Sequence, residues 1–257
     1  MSLCVAEEVG VRIGGTVILD DVSVSIEQGE WVSVVGPNGA GKTTLLSAMA
    51  GLRATSGTIW IEGRDLGELS PRERARLLAY VPQQPEIPYG MTVNSYVLLG
   101  RTPHLSFLEM EGETDLQLVK QILEQFDLSN MGLRTLESLS GGEIQRCHLA
   151  RAVAQATPVM FLDEPTTALD LGHQQQALDH IRRLRENHLL TVVMTMHDLT
   201  LASQYSDRII LMSEGQIAAD GIPSEVLTPD RLSDLYGAHL KVLNIDDHLA
   251  VIPIVER

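Results

Sequence analysis

The sequence predicts an α/β protein with a mixed, mostly parallel sheet, an antiparallel β region and an inserted helical subdomain. Short apolar runs typical of buried strands alternate with helical patterns, as expected for parallel strands joined by crossover helices. Before residue 30, apolar and polar positions alternate instead, which predicts antiparallel strands. Between residues 85 and 138 helical patterns replace strand patterns. We expect one domain over residues 1–257, with the helical subdomain inserted at about 85–158.

The first half of the chain begins with this antiparallel region, in which Gly14–Gly15 and Gln28–Gly29 indicate turns. The apolar run Trp31–Val35 predicts a buried strand, and Thr58–Ile61 predicts a further short strand. Ser70 followed by Pro71 is typical of a helix N-terminus, and the helix is expected to run to about Leu78. A strand is then predicted at 79–84, ending at glutamine.

The second half continues the alternation of helices and strands. Helices are predicted at 93–99, 116–126, 172–187 and 199–205. A further helix is predicted to follow the loop at 139–146 and to run to about residue 156. Two short helices that begin at proline are predicted at 223–227 and 229–236. Its predicted strands are at 159–162, 191–195, 208–212 and 216–219, and a β-hairpin is expected around Asp246–Asp247–His248 within 241–255. In open sheets of this kind, ligands bind at the carboxyl ends of the strands.

Composition excludes several classes of function. The net charge of −15 disfavours nucleic acid and anionic lipid as partners, because their phosphates would be repelled. Cys4 and Cys147 lie too far apart for a metal-ligand pattern, which indicates reduced thiols in a cytosolic protein. Neither a membrane span nor a signal peptide is predicted. The acid-rich stretch 109–127 is either a solvated helical face or a docking face for a basic partner.

A glycine-rich loop follows the predicted strand at Trp31–Val35 and precedes a helical pattern. It fits the phosphate-binding pattern GxxxxGK[ST] without a mismatch, through Gly36, Pro37, Asn38, Gly39, Ala40, Gly41, Lys42, Thr43 and the following Thr44. Its glycines allow successive N–H groups to point at phosphate oxygens, and the helix adds its positive end. We expect Lys42 to contact the outer phosphates and the Thr43 hydroxyl to hold Mg²⁺.

Two further patterns fit the same chemistry. Asp163 and Glu164 end a buried strand, so their carboxylates face different directions: one can hold Mg²⁺ and the other can polarise an attacking water. Ser140, Gly141 and Gly142 open a helix and form a second anion-binding helix end.

With these motifs in this order, the chain resembles the nucleotide-binding subunit of ATP-binding-cassette (ABC) transporters from about residue 9 to 240. The resemblance implies the ABC ATPase fold of P-loop NTPases and the binding and hydrolysis of ATP with Mg²⁺. In that family the Ser140–Gly142 loop faces the ATP held by the P-loop of a second copy. A homodimer with two ATP molecules at its interface is therefore implied.

The family's site residues are carried over by motif. Gln83 matches the glutamine that senses Mg²⁺ and the attacking water, with Gln84 as an alternative. Glu164 matches the catalytic base, Asp163 the Mg²⁺-binding aspartate, and His197 the histidine that contacts the γ-phosphate. The stretch Ala168–Asp170 matches the loop that crosses the dimer interface. The alignment puts Ile13 where the family usually has an aromatic residue stacked on adenine, which predicts weaker adenine discrimination.

The stretches 85–93 and 99–104 are similar to those of importer ATPases for iron–siderophore, haem and cobalamin complexes. This implies a peripheral subunit on the cytoplasmic face of the membrane, bound to two integral-membrane permease subunits and indirectly to a substrate-binding protein. The alternative is a soluble cassette ATPase, such as one that serves iron–sulfur cluster assembly. Chromosome-structure and DNA-repair ATPases carry coiled coils or zinc modules that this insert lacks, and no nucleic-acid partner is expected.

Overall fold

The computed structural model describes residues 2–106, 109–167, 169–245 and 248–254. Its strands are β1 (Ser2–Ile13), β2 (Thr16–Glu27), β3 (Trp31–Val35), β4 (Ser56–Ile61), β5 (Arg64–Asp65), β6 (Leu78–Val81), β7 (Val159–Asp163), β8 (Thr191–Thr195), β9 (Arg208–Ser213), β10 (Gln216–Gly221), β11 (Leu240–Ile245) and β12 (His248–Pro253). Its α-helices are α1 (Lys42–Met49), α2 (Pro71–Leu77), α3 (Val93–Leu98), α4 (Glu113–Gln125), α5 (Gly141–Ala154), α6 (Leu171–His188), α7 (Leu199–Tyr205), α8 (Pro223–Val226) and α9 (Pro229–Tyr236).

The chain divides into two compact units. Unit 1 comprises Met1–Glu68 together with Thr191–Arg257, and unit 2 comprises Leu69–Leu190. The glycine-rich loop at 36–44 and His197 therefore belong to unit 1, whereas Gln83, Glu164 and the Ser140–Gly142 loop belong to unit 2.

Unit 1 contains the predicted antiparallel region and a parallel core. In the antiparallel sheet, β1 lies between β2 and β4, and β4 also pairs with β5. In the parallel core, β3 pairs with β8 on one side and β9 on the other, and β10 continues from β9 antiparallel. All residues of β3 and β8 are buried, which explains why both strands are continuous apolar runs rather than alternating ones.

The C-terminal hairpin packs on α7, the helix that follows His197. The Thr200 hydroxyl accepts from the Val251 N–H at 3.0 Å, and the Ser203 hydroxyl donates to the Leu249 carbonyl at 3.1 Å. The hairpin was expected around Asp246–Asp247–His248, and β11 and β12 pair on either side of that turn. Asp246 and Asp247 themselves lie outside the described residues.

Unit 2 contains the parallel pair β6 and β7 and the helical interval predicted from the sequence. Helix α5 packs against α3, α4 and β6, so the helix after the Ser140–Gly142 loop is central to this unit. The start of α2 carries the predicted cap: Ser70 and Glu73 form a reciprocal capping box, with Pro71 in the first turn. Among the described residues, no helix has the length and apolar character needed to span a membrane.

Most predicted elements appear within a few residues of their expected bounds, and the exceptions have local causes. The strand expected at 79–84 ends at Val81, because Pro82 has no N–H to donate to the ladder. Gln83 and Gln84 therefore follow the strand instead of belonging to it. Helix α4 begins at Glu113 rather than near Leu116, because the Asp115 carboxylate accepts from the Gly112 N–H and caps the helix earlier.

Candidate nucleotide-binding site

The glycine-rich loop joins β3 to α1 as the sequence predicts. Lys42 is only 6% exposed, and its ammonium donates to the carbonyl oxygens of Gly36 at 2.8 Å and Pro37 at 3.1 Å. Asn38 and Gly39 lie exposed at the tip of the loop. The lysine is thus held over the loop by carbonyl groups that a phosphate oxygen can replace as its partner.

The glycine-rich loop packs against the β9–β10 hairpin and β2, and this packing explains why two of its positions require glycine. Gly36 has φ 148°, and a Cβ there would lie 2.3 Å from the Met212 carbonyl oxygen. Gly41 has φ 99°, and a Cβ there would lie 2.9 Å from a Leu19 methyl carbon. A side chain at either position would strain the backbone. At Gly36 it would also overlap the backbone of β9, and at Gly41 it would displace the Leu19 side chain of β2.

Two other predicted residues belong to unit 1. Ile13 ends β1, pairs with Thr16 and is 45% exposed, so its aliphatic surface is available to a flat ligand. His197 follows β8 and is exposed, next to Asp198, which caps α7 by accepting from the Leu201 N–H. Each therefore lies at the end of a β-strand.

In unit 2 the acidic residues at the end of β7 are bound by neutral donors. Gln83 donates its side-chain amide to the Glu164 carboxylate at 2.5 Å, and the Thr167 hydroxyl donates to the same oxygen at 3.2 Å. The Tyr80 hydroxyl donates to Asp163 at 3.4 Å. The sequence left Gln83 and Gln84 as alternatives, and it is the Gln83 amide that contacts Glu164.

The backbone turns between the two carboxylates. Glu164 has φ 47°, in the left-handed region that residues other than glycine seldom adopt. Glu164 is 8% exposed and Asp163 is 1% exposed. Such a conformation costs of order 1 kcal/mol, and it persists here because Gln83 and Thr167 hold the side chain.

The Ser140–Gly142 loop forms a capped helix N-terminus. The Ser140 hydroxyl accepts from the Glu143 N–H at 3.4 Å, and the Glu143 carboxylate accepts from the Ser140 N–H at 2.7 Å. The bond from the Ser140 N–H to the Glu143 carboxylate, together with one from the Ser140 hydroxyl, lowers the pKa of Glu143 below its usual value. In the part of the chain that the structure describes, no heavy atom outside the loop lies within 4 Å of a Cβ built on Gly141, so this face of the helix end is open.

Asp170 caps the next helix. Its carboxylate accepts from the His173 N–H at 3.0 Å, as expected for an N-cap aspartate. Leu169 precedes it, and Ala168 lies outside the described residues.

Behind the Ser140–Gly142 loop, a buried polar network joins α5 to α3. Tyr96 is 1% exposed, and its hydroxyl lies 2.6 Å from Nδ1 of His148, which is 4% exposed. Arg151 donates to the same hydroxyl at 3.1 Å. Since Arg151 supplies a proton to the tyrosine oxygen, the tyrosine can donate its own proton to a neutral His148. The network thereby fixes the helix that carries the loop.

This network predicts a pH-dependent stability. Burial, together with the positive charge of Arg151, lowers the pKa of His148 from its ordinary 6.5 to about 4. The neutral form is favoured in the folded state, so this contribution is present above about pH 6.5 and is lost as the pH falls towards 4. Linkage gives a free energy of unfolding about 2 kcal/mol lower at pH 5 than at pH 7 from this group.

Urea unfolding of the wild type and of His148→Gln at pH 7 and pH 5 tests this expectation. Glutamine can still accept from Tyr96 but does not titrate, so the variant should lose about 2 kcal/mol less between the two pH values. Equal losses in both proteins would contradict the assignment.

Sequence reasoning missed Tyr80 and Thr167. Both lie near a motif, but a hydroxyl at the end of a strand or in a loop carries no signal of the carboxylate that it contacts. Along α6, His173 contacts Asp170, and His180 lies against the Phe126 ring with centroids 5.3 Å apart. No group of three or more potential metal ligands of the types His, Cys, Asp and Glu occurs in the described parts of the chain.

Comparison with known proteins identifies the family. The family described as ABC transporter matches residues 19–167. The chain belongs to the ABC transporter family. The family and the α/β fold that the sequence predicted are thereby confirmed.

Curated relatives are import ATP-binding proteins. The chain is 42% identical over 233 residues to the cobalamin import ATP-binding protein BtuD of Halobacterium salinarum, covering 90% of this chain and 58% of that protein. It is 37% identical over 231 residues to the iron(3+)-hydroxamate import ATP-binding protein FhuC of Bacillus subtilis, covering 90% and 86%. It is 39% identical over 239 residues to the hemin import ATP-binding protein HmuV of Rhodococcus jostii, covering 93% and 81%. The chain thus spans little more than half the length of the Halobacterium relative.

Solved structures agree with this fold. The ADP conformation of MJ1267, an ATP-binding cassette of an ABC transporter, matches with a TM-score of 0.82 at 26% identity, covering 92% of this chain and 98% of that chain. The dimeric structure of MJ0796, a bacterial ABC transporter cassette, matches with a TM-score of 0.76 at 27% identity, covering 86% and 98%.

Proposed function

We propose that the chain is the ATP-hydrolysing subunit of a bacterial importer for iron–siderophore, haem or cobalamin-type complexes. The observation that carries the hydrolytic part is the Glu164 carboxylate, which is nearly buried and held by the Gln83 amide at 2.5 Å. The importing part is supported by relatives named for the import of cobalamin, iron(3+)-hydroxamate and hemin.

In the proposed reaction, the β- and γ-phosphates of ATP bind to the backbone N–H groups of the loop at 36–44, to which Pro37 contributes none. Lys42 exchanges its carbonyl partners, Gly36 and Pro37, for phosphate oxygens. Glu164 accepts a proton from the attacking water, and Gln83 orients that carboxylate. His197 donates to the γ-phosphate. Phosphoryl transfer requires mainly such positioning and charge stabilisation.

Mg²⁺ would be held by the Thr43 hydroxyl, the Asp163 carboxylate and the Gln83 side-chain oxygen. This all-oxygen set of few protein ligands fits Mg²⁺, which usually binds one or two carboxylates, substrate phosphates and water. When bound, the ion neutralises charge on the phosphates. Asp163 is buried and Tyr80 donates to it, so its carboxylate is fixed before any ion binds.

The chain is further proposed to act as a homodimer with ATP at its interface. Each Ser140–Gly142 loop would bind the nucleotide of the other copy, and each Asp170 loop would cross between the copies. The open face at Gly141 supports this arrangement, because a phosphate could approach the helix end there. ATP binding would close the dimer, and hydrolysis would reopen it.

The dimer is proposed to lie on the cytoplasmic face of the membrane and to power two integral-membrane permease subunits, which receive cargo from a substrate-binding protein. A tagged chain recovered from detergent-solubilised membranes of the source cell tests this. Recovery of a polytopic membrane protein, together with ATP hydrolysis by the purified chain, would support the importer. Hydrolysis with only soluble partners would favour the assembly-type ATPase, and absence of hydrolysis would contradict both.

At the adenine position, Ile13→Tyr should tighten ATP binding by roughly fivefold, because an aromatic ring on a base contributes about 1–3 kcal/mol in nucleic-acid complexes. Val17→Tyr is the matched control, since Val17 is similarly exposed on the same hairpin but alternates to the other face of the strands. Titration of each variant with ATP measures the dissociation constant. An unchanged constant in Ile13→Tyr would remove Ile13 from the adenine site.

A further inference from the structure

His173 contacts two loops at once. On one side, its backbone N–H and its ring Nδ1 both donate to one carboxylate oxygen of Asp170, at 3.0 and 2.8 Å. The second bond goes beyond an ordinary helix cap, because a cap requires only the backbone N–H. Together these bonds hold the pKa of Asp170 below its usual value, so the carboxylate stays ionised.

On the other side, the His173 ring lies against Gly142. The ring carbons Cδ2 and Cγ lie 3.6 and 3.8 Å from the place where a Cβ of Gly142 would stand, and a Leu169 methyl carbon lies 3.7 Å from it. These are ordinary van der Waals distances. The ring and Leu169 therefore cover one side of the helix end whose other side, at Gly141, is open.

We propose that His173 is a positioning residue that fixes the loop at Leu169–Asp170 against the Ser140–Gly142 loop of the same chain. The inference rests on the proposed function, in which both loops act on the nucleotide of the second copy. Through His173 the two loops would meet the second copy as one preassembled surface, rather than each being ordered separately on closure.

The exposure of the His173 and Asp170 side chains distinguishes a positioning role from a contribution to folding stability. The His173 and Asp170 side chains are 48% and 71% exposed, and exposed pairs of this kind contribute little to folding. Loss of the His173 ring should therefore change the melting temperature little. The Leu169–Asp170 and Ser140–Gly142 loops, however, would lose their alignment, and a displacement of about an ångström is enough to slow catalysis.

The test compares His173→Leu with His173→Asn. Leucine fills much of the volume but has no donor, whereas the asparagine amide can place a donor near the position of Nδ1. In His173→Leu we expect kcat to fall roughly tenfold and ATP-induced dimerisation to need several-fold more ATP, with ATP affinity of the single chain unchanged. His173→Asn should recover most of the lost rate.

Gln175→Leu is the control, because it makes the same kind of change at an exposed α6 position two residues away, which points elsewhere on the helix. The inference is overturned if His173→Leu hydrolyses ATP and dimerises like Gln175→Leu, or if asparagine rescues nothing. Absence of hydrolysis and of ATP-induced dimerisation in the wild type would instead refute the proposed function itself, and the role of His173 with it.

Discussion

Glu164→Gln is expected to bind ATP normally and to lose hydrolysis by about 10²–10⁴-fold, the range for removal of a general base. The substitution can remove the general base without removing the hydrogen bonds that hold residue 164. One carboxylate oxygen of Glu164 accepts from both Gln83 and Thr167, and the glutamine oxygen can accept the same two bonds. The variant should keep the left-handed turn at 164 and lose only the capacity to take a proton from water.

Because bound ATP would no longer be consumed, Glu164→Gln should also accumulate as an ATP-bound dimer. Steady-state phosphate release and light scattering with and without ATP measure the two effects. Glu73→Gln is the control: it also neutralises a hydrogen-bonded glutamate in unit 2, but Glu73 caps α2 and follows none of the site motifs. Glu164→Gln with turnover close to that of Glu73→Gln would remove Glu164 as the base.

The parts of the site that the sequence predicts well are those built from neighbouring residues. The strand, loop and helix around Lys42 follow from an apolar run, glycines and a helical pattern, all within about 20 residues. The cap at Ser140 is equally local, because Glu143 lies three residues away. Such features need no knowledge of which distant elements pack together.

The parts that the sequence could not predict depend on distant or backbone geometry. Gln83 and Gln84 are equivalent in sequence, and only the end of β6 at Val81 and the turn at Glu164 decide which amide contacts the carboxylate. The left-handed conformation of Glu164 carries no compositional signal, since glycine or asparagine would be expected there. The contact of His173 with Gly142 joins the starts of two helices, which periodicity within either helix does not report.

These two groups of residues have different roles in the proposed cycle. The local motifs make chemical groups available: a lysine, backbone N–H groups and carboxylates. The non-local contacts fix the directions of those groups, through Gln83 on Glu164 and through His173 on Asp170. Substitutions of the first kind should abolish a chemical step, whereas substitutions of the second kind should lower its rate while the fold is kept.

Gly141→Arg is expected to abolish most ATP hydrolysis, because it would block the open helix end that is proposed to bind the nucleotide of the other copy. Among the described residues, no heavy atom outside the loop lies within 4 Å of a Cβ at Gly141. Arginine also favours helix more than glycine does, so a single chain should fold normally. Ser140→Arg would be a less specific probe, since it also removes the Ser140 cap of α5, which is typically worth about 1 kcal/mol.

In the proposed dimer the new side chain would stand between the helix end and the phosphates of the opposite nucleotide. Withdrawing such backbone donors from a transferring group costs about 10²–10³-fold in kcat. We therefore expect Gly141→Arg to bind ATP within a few-fold of wild type, to hydrolyse it at about a hundredth of the rate or less, and not to dimerise with ATP even when combined with Glu164→Gln.

Gly112→Arg provides the control, since it introduces the same side chain at the start of α4, outside the proposed interface. Mixing gives a sharper readout. A chain carrying Gly141→Arg has a defective Ser140–Gly142 loop, and a chain carrying Lys42→Ala has a defective glycine-rich loop. In a mixed dimer, one nucleotide site contains both defects and the other nucleotide site contains neither. Partial recovery of hydrolysis on mixing is expected if the loop acts on the other copy's nucleotide. Full activity of Gly141→Arg alone would mean that the loop acts on no phosphate, and the paired-site mechanism would have to be abandoned.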